Sequence, residues 1–253
     1  MVHLAPLPGS PRFSGSLAEV LERAVGEART LAEAGFPAVM VENLGDDPYF
    51  PDDVPPVTVA AMTRAVAEVR AAIDVEVGVN VLRNDALAAL AVAAATGASM
   101  IRVNVLSGTM FTDQGPVVGR AAELARARAT LAPGVAVLAD VFVKHAVPPA
   151  GSTIELAAAD TWERGGADAL VVSGTGTGRP ASSDDLVRVR RAVPDAPLVV
   201  GSGADPDRLA DLAPHVDSVI VGSALKPARN LEEMVDSGLA EGFVAAARSA
   251  GLL

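Results

Sequence analysis

The densest group of chemically capable side chains lies in the run Ala139-Asp140-Val141-Phe142-Val143-Lys144-His145. In an extended strand Asp140, Phe142 and Lys144 share one face, and His145 falls on the other. A carboxylate beside a lysine holds it charged, fit to bind phosphate or polarise a carbonyl. A lysine taken out of water instead loses its proton more readily and becomes a base or a Schiff-base nucleophile. His145 titrates near neutral pH and can carry protons if it meets a ligand; from the opposite face it simply begins a solvated loop. Composition sharpens the interest in lysine. Of 20 basic residues only Lys144 and Lys226 are lysines. Arginine replaces lysine on a surface, but not where a compact, flexible or deprotonatable ammonium is needed.

A second group is glycine-rich. Leu198–Val200 runs into Gly201-Ser202-Gly203, and the apolar run 218–221 runs into Gly222-Ser223, with Lys226 shortly after. Glycine lets a backbone approach closely and turn with positive φ, so bare N–H groups can face an anion. The same residues also serve ordinary tight turns. Ser173 opens a third such loop, Ser-Gly-Thr-Gly-Thr-Gly-Arg-Pro over 173–180. That loop lacks the spacing of a dinucleotide fingerprint. Gly201, Ser202, Gly203, Gly222, Ser223, Ser173 and Lys226 form the expected phosphate-binding set.

Positioning these groups takes eight strand-then-helix units. Strands are expected at 2–5, 38–42, 75–81, 100–105, 135–143, 169–173, 198–200 and 218–221. Helices are expected at 16–34, 57–72, 85–96, 119–131, 153–164 and 184–192, with a short one after Asp205-Pro206 and a closing one within 231–249. Ser16 suits a helix start and Gly35 its end. Alternation of buried strands with helices argues for an α/β protein with a parallel sheet, and eight units argue for closure. The expected fold is therefore a single-domain (β/α)8 TIM barrel of phosphate-binding type over 1–253, with an open doubly wound sheet as runner-up. The loops after strands two, four and six are long enough to serve as lids.

Strand phase separates two faces. Val39 and Val41, Val77 and Val79, Ile101 and Val103, and Val137 and Val141 turn towards the helices. Glu42, Asn80, Arg102, Asn104 and Asp140 turn inwards. An unpaired buried charge costs several kcal/mol, so inward polar groups form either a site or a satisfied network. Arg102 and Glu76 are the expected structural pair. Glu42 and Asp140 are the acid/base candidates, Lys144 the electrophile or base, and Asn80 and Asn104 the orienting groups, because barrel chemistry sits at the carboxyl ends of strands. His3 can face the mouth or the core, and His215 is expected to be exposed at the opposite rim.

Bulk properties exclude other classes. The net charge of −11 and 3% aromatic content disfavour nucleic-acid binding, which needs basic and stacking surface. No apolar run reaches the roughly 18 residues of a membrane span, and the start, MVHLAPLPGSPRF, lacks the form of a secretory signal. A cytoplasmic homo-oligomer is expected. The absence of cysteine removes thiolate chemistry, and neither a Gly-x-Ser-x-Gly elbow nor a Walker loop occurs. Asp46, Asp47, Asp52 and Asp53 read as a solvated loop rather than ligands of a hard cation. No cofactor is assigned; a divalent metal is left open.

Several stretches together resemble the BtpA/SgcQ family: HLAPLPGSPRF, VMVENLGDDPYF, VGVNVLRND, IRVNVLSGTMFTDQG, ADVFVKHA, VVSGTGTGRP, and VVGSGADPD with VIVGSALK. The resemblance runs to about Lys226. It implies a TIM-barrel-like fold related to phosphate-binding barrels. One branch of that family is named for photosystem I biogenesis or stability, and another sits among sugar-metabolism genes. No catalytic residues carry over. Two functional expectations follow. The first is an enzyme acting on a small phosphorylated metabolite, a sugar phosphate or nucleotide derivative, by lyase, isomerase or glycosyl-transfer chemistry. The alternative is a non-catalytic assembly or biogenesis factor for a membrane protein complex, working through an exposed apolar patch.

Overall fold

The computed structural model describes residues 1–174, 176 and 181–253. Eight parallel strands form its centre: β1 (Val2–His3), β2 (Ala38–Glu42), β3 (Glu76–Asn80), β4 (Met100–Val103), β5 (Ala136–Asp140), β6 (Ala169–Val172), β7 (Leu198–Val200) and β8 (Ser218–Val219), each paired to its neighbours in chain order. Met1 N donates to Val221 O at 2.8 Å, which brings the segment after β8 against β1 and closes the ring. The helices are α1 (Leu17–Ala34), α2 (Pro56–Ala72), α3 (Ala86–Thr96), α4 (Ala121–Leu131), α5 (Ile154–Ala159), α6 (Ser183–Ala192), α7 (Leu209–Leu212) and α8 (Ser237–Ser249). A π-helical turn, Asp160–Arg164, continues α5. This is the (β/α)8 barrel expected from the alternation of strands and helices. Among the described residues no helix is long and apolar enough to cross a membrane.

Local signals set the helix ends. Ser16 and Glu19 exchange side-chain-to-backbone hydrogen bonds across the first turn of α1, and Gly35 ends it at φ 99°. Asp85 caps α3 by accepting from Ala88 N, while its other oxygen accepts from Val54 N, both at 2.8 Å. One carboxylate thus fixes a helix start and the loop entering α2.

The β-branched faces of β2 to β5 bury Val39, Val41, Val77, Val79, Ile101, Val103 and Val137 beneath the helices. Each such side chain contributes about 1.5–3 kcal/mol. Inside the ring the lower layer is apolar. A Cβ on Gly78 would come within 2.7 Å of Met100 and 2.9 Å of Met40, so that position is glycine because two methionines fill the space. Val171 and Val199, with Leu138 and Ile220 against them, close the other side. Above this plug the interior turns polar.

The ladders stop earlier than the apolar runs suggest, because side-chain amides take over. Asn43, after β2, accepts from Leu82 N at 2.7 Å. Asn84, after β3, accepts from Val105 N at 2.7 Å and donates to Val105 O at 2.9 Å. The rim of the mouth is stitched by asparagines where backbone pairing has run out.

The loops after β4 and β5 are more ordered than expected. Thr109–Thr112, Gly115–Val118 and Ala146–Val147 make a three-stranded antiparallel sheet, with Thr109–Thr112 in the middle. Met110 and Val117 point inwards against Val105 and Val143. Pro116 is tolerated because its strand is an edge.

Lys226 is not at the mouth. Its Nζ donates to Glu27 Oε1 at 2.8 Å, to Glu233 O at 2.7 Å and to Leu231 O at 3.3 Å, and both charged side chains are fully buried. The ammonium ties α1 to the segment entering α8, the seam between the first and last units. This corrects its assignment to the phosphate-binding set: every proton of the ammonium is spent on the scaffold.

Candidate functional site

One register row crosses the mouth. His3 lies beside Glu42, Glu42 beside Asn80, and Asn80 beside Arg102, on β1 to β4. Adjacent residues in a parallel sheet point to the same side, so all four enter the barrel. Glu42, Asn80 and Arg102 are buried. Asn104, Asp140, Ser173 and Lys144 stand higher, on the loops and strand ends that follow.

These polar groups divide into a floor and a cleft. In the floor, Arg102 grips Asp140 with two hydrogen bonds, Nε to Oδ2 and Nη2 to Oδ1, both 2.8 Å. Ser173 Oγ donates to Asp140 Oδ1 at 3.1 Å, and Asn104 Nδ2 lies 3.4 Å from Oδ2. Asn80 Nδ2 donates to Arg102 O at 3.0 Å and to Asn104 Oδ1 at 3.2 Å. Burial works against the Arg102 charge, but the Asp140 carboxylate more than offsets it and raises its pKa. Two expectations change here. Asp140 is filled by Arg102 rather than left beside Lys144, and Glu76, exposed at the start of β3, has no part in pairing Arg102. Asp140, Asn80, Asn104 and Ser173 form the support beneath the cleft.

The cleft itself is lined by Met1, His3, Glu42, Leu44, Arg102, Lys144, Gly201, Ser202, Gly203, Ile220, Gly222 and Ser223. Glu42, Lys144 and the two glycine-ended loops, far apart in the chain, therefore meet. Its open space is about 30 Å³, the room of about one water molecule. Beside it, sharing His3 and Leu44, runs a groove of about 750 Å³ along Ala5, Arg12, Tyr49 and Arg229. A ligand anchored in the cleft has the groove for its remaining atoms.

His3 Nε2 is 3.7 Å from Glu42 Oε1. Burial, with the N-terminal amine and nearby cations adding to it, pulls the His3 pKa well below its ordinary value of 6.5, so the imidazole is neutral at pH 7. Lys144 is half-buried. Burial lowers its pKa; Glu42 and Asp140 oppose this, and Arg102 and Arg83 reinforce it. Among the described residues no carboxylate lies within 4.0 Å of its Nζ. Arg83, just past β3, holds the lysine from behind by donating from Nη2 to Lys144 O at 2.5 Å. His3 and Arg83 were not among the expected site residues: the sequence leaves His3 open between the mouth and the core, and Arg83 lies beyond its strand.

The glycines carry the walls. A Cβ on Gly201 would fall 2.4 Å from Ser173 Oγ, 2.4 Å from Val171 Cγ1 and 2.9 Å from Arg102 Nη2. Gly203 has φ 71°. Ser202 Oγ accepts from Gly174 N at 3.3 Å, tying the loop after β7 to that after β6. Among the described residues, the backbone N–H groups of Gly203, Gly222 and Ser223 donate to no protein acceptor. Gly201→Ala is expected to cost about 1–3 kcal/mol, because the added methyl overpacks a rigid floor. Urea unfolding measures this; a variant as stable as the parent would mean the floor yields freely.

The remaining candidates lie elsewhere. His145 is exposed with φ 57°, and His215 is half-buried rather than exposed. Of the loop 173–180, Thr175 and residues 177–180 lie outside the described residues. Asp46 accepts from Leu7 N and Asn43, Asp47 pairs with Arg12, and Asp53 pairs with Arg120. Among the described residues no group of three or more His, Asp or Glu side chains is placed to hold a metal ion.

Fold and site together define a (β/α)8-barrel protein with a polar, amide-walled cleft at the carboxyl ends of its strands. Within that class the chain belongs to the BtpA family, whose family model matches residues 1–249, past Lys226 where the sequence resemblance fades. The photosystem I biogenesis protein BtpA of Synechocystis is 45% identical over 246 residues, spanning 97% of this chain and 86% of that protein. Among solved structures, the native KDPGal structure superposes with a TM-score of 0.57 at 18% identity, covering 92% of this chain and 91% of that one. Phosphoribosyl anthranilate isomerase from Thermus thermophilus gives 0.57 at 13% identity, covering 89% and 94%. At these identities the two structures speak to the fold alone.

Proposed function

We propose that the chain is an enzyme that binds a small phosphorylated metabolite at the mouth of its barrel. The observation that carries this reading is the set of N–H groups on Gly203, Gly222 and Ser223 that meet no acceptor among the described residues, lining one cleft with the Lys144 ammonium. All three residues are half-buried at the mouth, and a phosphate is a ligand that can use several backbone donors at once. Hydrogen bonds to a charged acceptor contribute roughly 1.5–3 kcal/mol each, enough for two or three to anchor a metabolite. Neutral His3, which lines both the cleft and the groove, and Glu42 beside it are the groups that can move protons on the metabolite's carbon frame. The name of the phosphoribosyl anthranilate isomerase, with its phosphoribosyl group, adds support by analogy of fold.

The test is thermal unfolding with inorganic phosphate, sugar phosphates and nucleoside monophosphates. A ligand of the folded state raises the melting temperature in proportion to the logarithm of its concentration above Kd. At least one phosphorylated compound is expected to do so, and Gly222→Ala to abolish the rise, since its methyl would fall 2.7 Å from the His3 ring. No rise with any member of the panel would remove the basis of the proposal.

A further inference from the structure

We propose that Lys144 forms a Schiff base with its substrate, and that the substrate is therefore a phosphorylated aldehyde or ketone. This rests on the anion site of the preceding subsection and adds the chemistry next to it.

The chain has no cysteine and two lysines. Lys226 is locked behind the barrel against Glu27, and the Met1 amine, which also lines the cleft, donates to Val221 O at 2.8 Å in the bond that closes the ring, which leaves Lys144 as the side-chain amine of the cleft. Its Nζ has no carboxylate within 4.0 Å among the described residues. The carboxylate that ends the preceding strand, Asp140, is taken by Arg102. An ion pair would hold the ammonium charged, and this arrangement withholds one. Burial acts in the same direction, lowering the Lys144 pKa, and an amine in such surroundings is a nucleophile near neutral pH.

The step balances without an outside reagent. The Nζ lone pair adds to the carbonyl carbon; a C–N bond forms and the C=O π bond breaks, with one amine proton passing to the oxygen. The carbinolamine then takes a second proton at that oxygen and loses water, leaving a protonated imine. From an ammonium and a carbonyl the products are iminium and water, so no oxidant or reductant enters. His3 and Glu42, 3.7 Å apart in the same cleft, are the groups that relay those protons. Among the described residues His3 Nδ1 is buried without a protein partner, which leaves it for the departing oxygen. The iminium then withdraws electrons from the adjacent carbon, which suits proton abstraction or carbon–carbon cleavage there.

The experiment treats the full chain with dihydroxyacetone phosphate or glyceraldehyde 3-phosphate, adds borohydride, and locates the label by peptide mass. The expected result is a reduced adduct on Lys144 at least about tenfold above Lys226, as the difference in nucleophile exposure demands. Label should rise with pH and level off below the range of an ordinary lysine. Inorganic phosphate should compete, the non-phosphorylated ketone should label weakly, and Lys144→Arg should lose the label while keeping its circular dichroism. If inorganic phosphate stabilises the protein but no probe labels Lys144, the Schiff base is wrong and the anion site stands. If phosphate neither stabilises nor competes, the anion site is wrong and this inference goes with it.

Discussion

Arg102→Met should unfold in markedly less urea than the parent, and Asp140→Leu in less still. Removing one partner of a buried ion pair costs about 3–5 kcal/mol because the other charge stays buried. The two losses differ because the partners left behind differ. Without Arg102, the Asp140 carboxylate still accepts from Ser173 Oγ and approaches Asn104 Nδ2. Without Asp140, the Arg102 guanidinium retains, among the described residues, only a 3.4 Å contact to Ser173. The double variant should be more stable than Asp140→Leu alone, since well-packed apolar replacements of a buried pair are often neutral. Losses that simply add would show that the two side chains do not act as a pair.

Substituting the two lysines by methionine should have opposite consequences. Lys226→Met strands Glu27, whose Oε2 is, among the described residues, already without a partner and whose Oε1 there keeps only Arg23 at 3.5 Å. A loss of about 3–5 kcal/mol is expected, with affinity for phosphorylated ligands unchanged per folded molecule. Lys144→Met should leave stability near the parent's and weaken phosphate-dependent binding about ten- to hundredfold, the worth of one charged hydrogen bond. The pH dependence has a definite sign. Folding lowers the Lys144 pKa from 10.5, so between the lowered value and 10.5 the unfolded chain holds more protons. The parent should therefore gain stability relative to Lys144→Met as pH climbs through that window. Denaturant midpoints at several pH values, with calorimetric titration of ligand, measure both; a Lys144→Met chain that binds as well as the parent refutes the role of that lysine.

Much of this was legible in the residues. Valines in alternation fixed which side of each central strand faced the helices, and hence that Glu42, Asn80, Arg102, Asn104 and Asp140 turned inwards. Ser16, Gly35 and Asp85 marked helix ends because capping is local. Choosing partners was harder. Alternation assigns a face but not a height, so it paired Arg102 with Glu76, which lies exposed at the foot of β3. Arg102 instead sits beside Leu138 in register, within reach of Asp140 two residues further up. That depends on the stagger between β4 and β5, which no single strand contains. The rarity of lysine correctly implied that both were needed, but not for what: the bond from Lys226 to Glu27 spans 199 residues. The small sheet was hidden because its strands are four, four and two residues long, too short for a periodic signal.

That small sheet has a consequence for anyone who would re-engineer the protein. Thr112 pairs with Ala146, two residues beyond Lys144, and Phe111 pairs with Val147. The loops after β4 and β5 are thus one mechanical unit, and the lysine sits on its inner hem. Grafting either loop alone into another barrel should leave the lysine without its brace. A chimera that transplants both together, with Val105 and Val143 beneath them, carries the whole device.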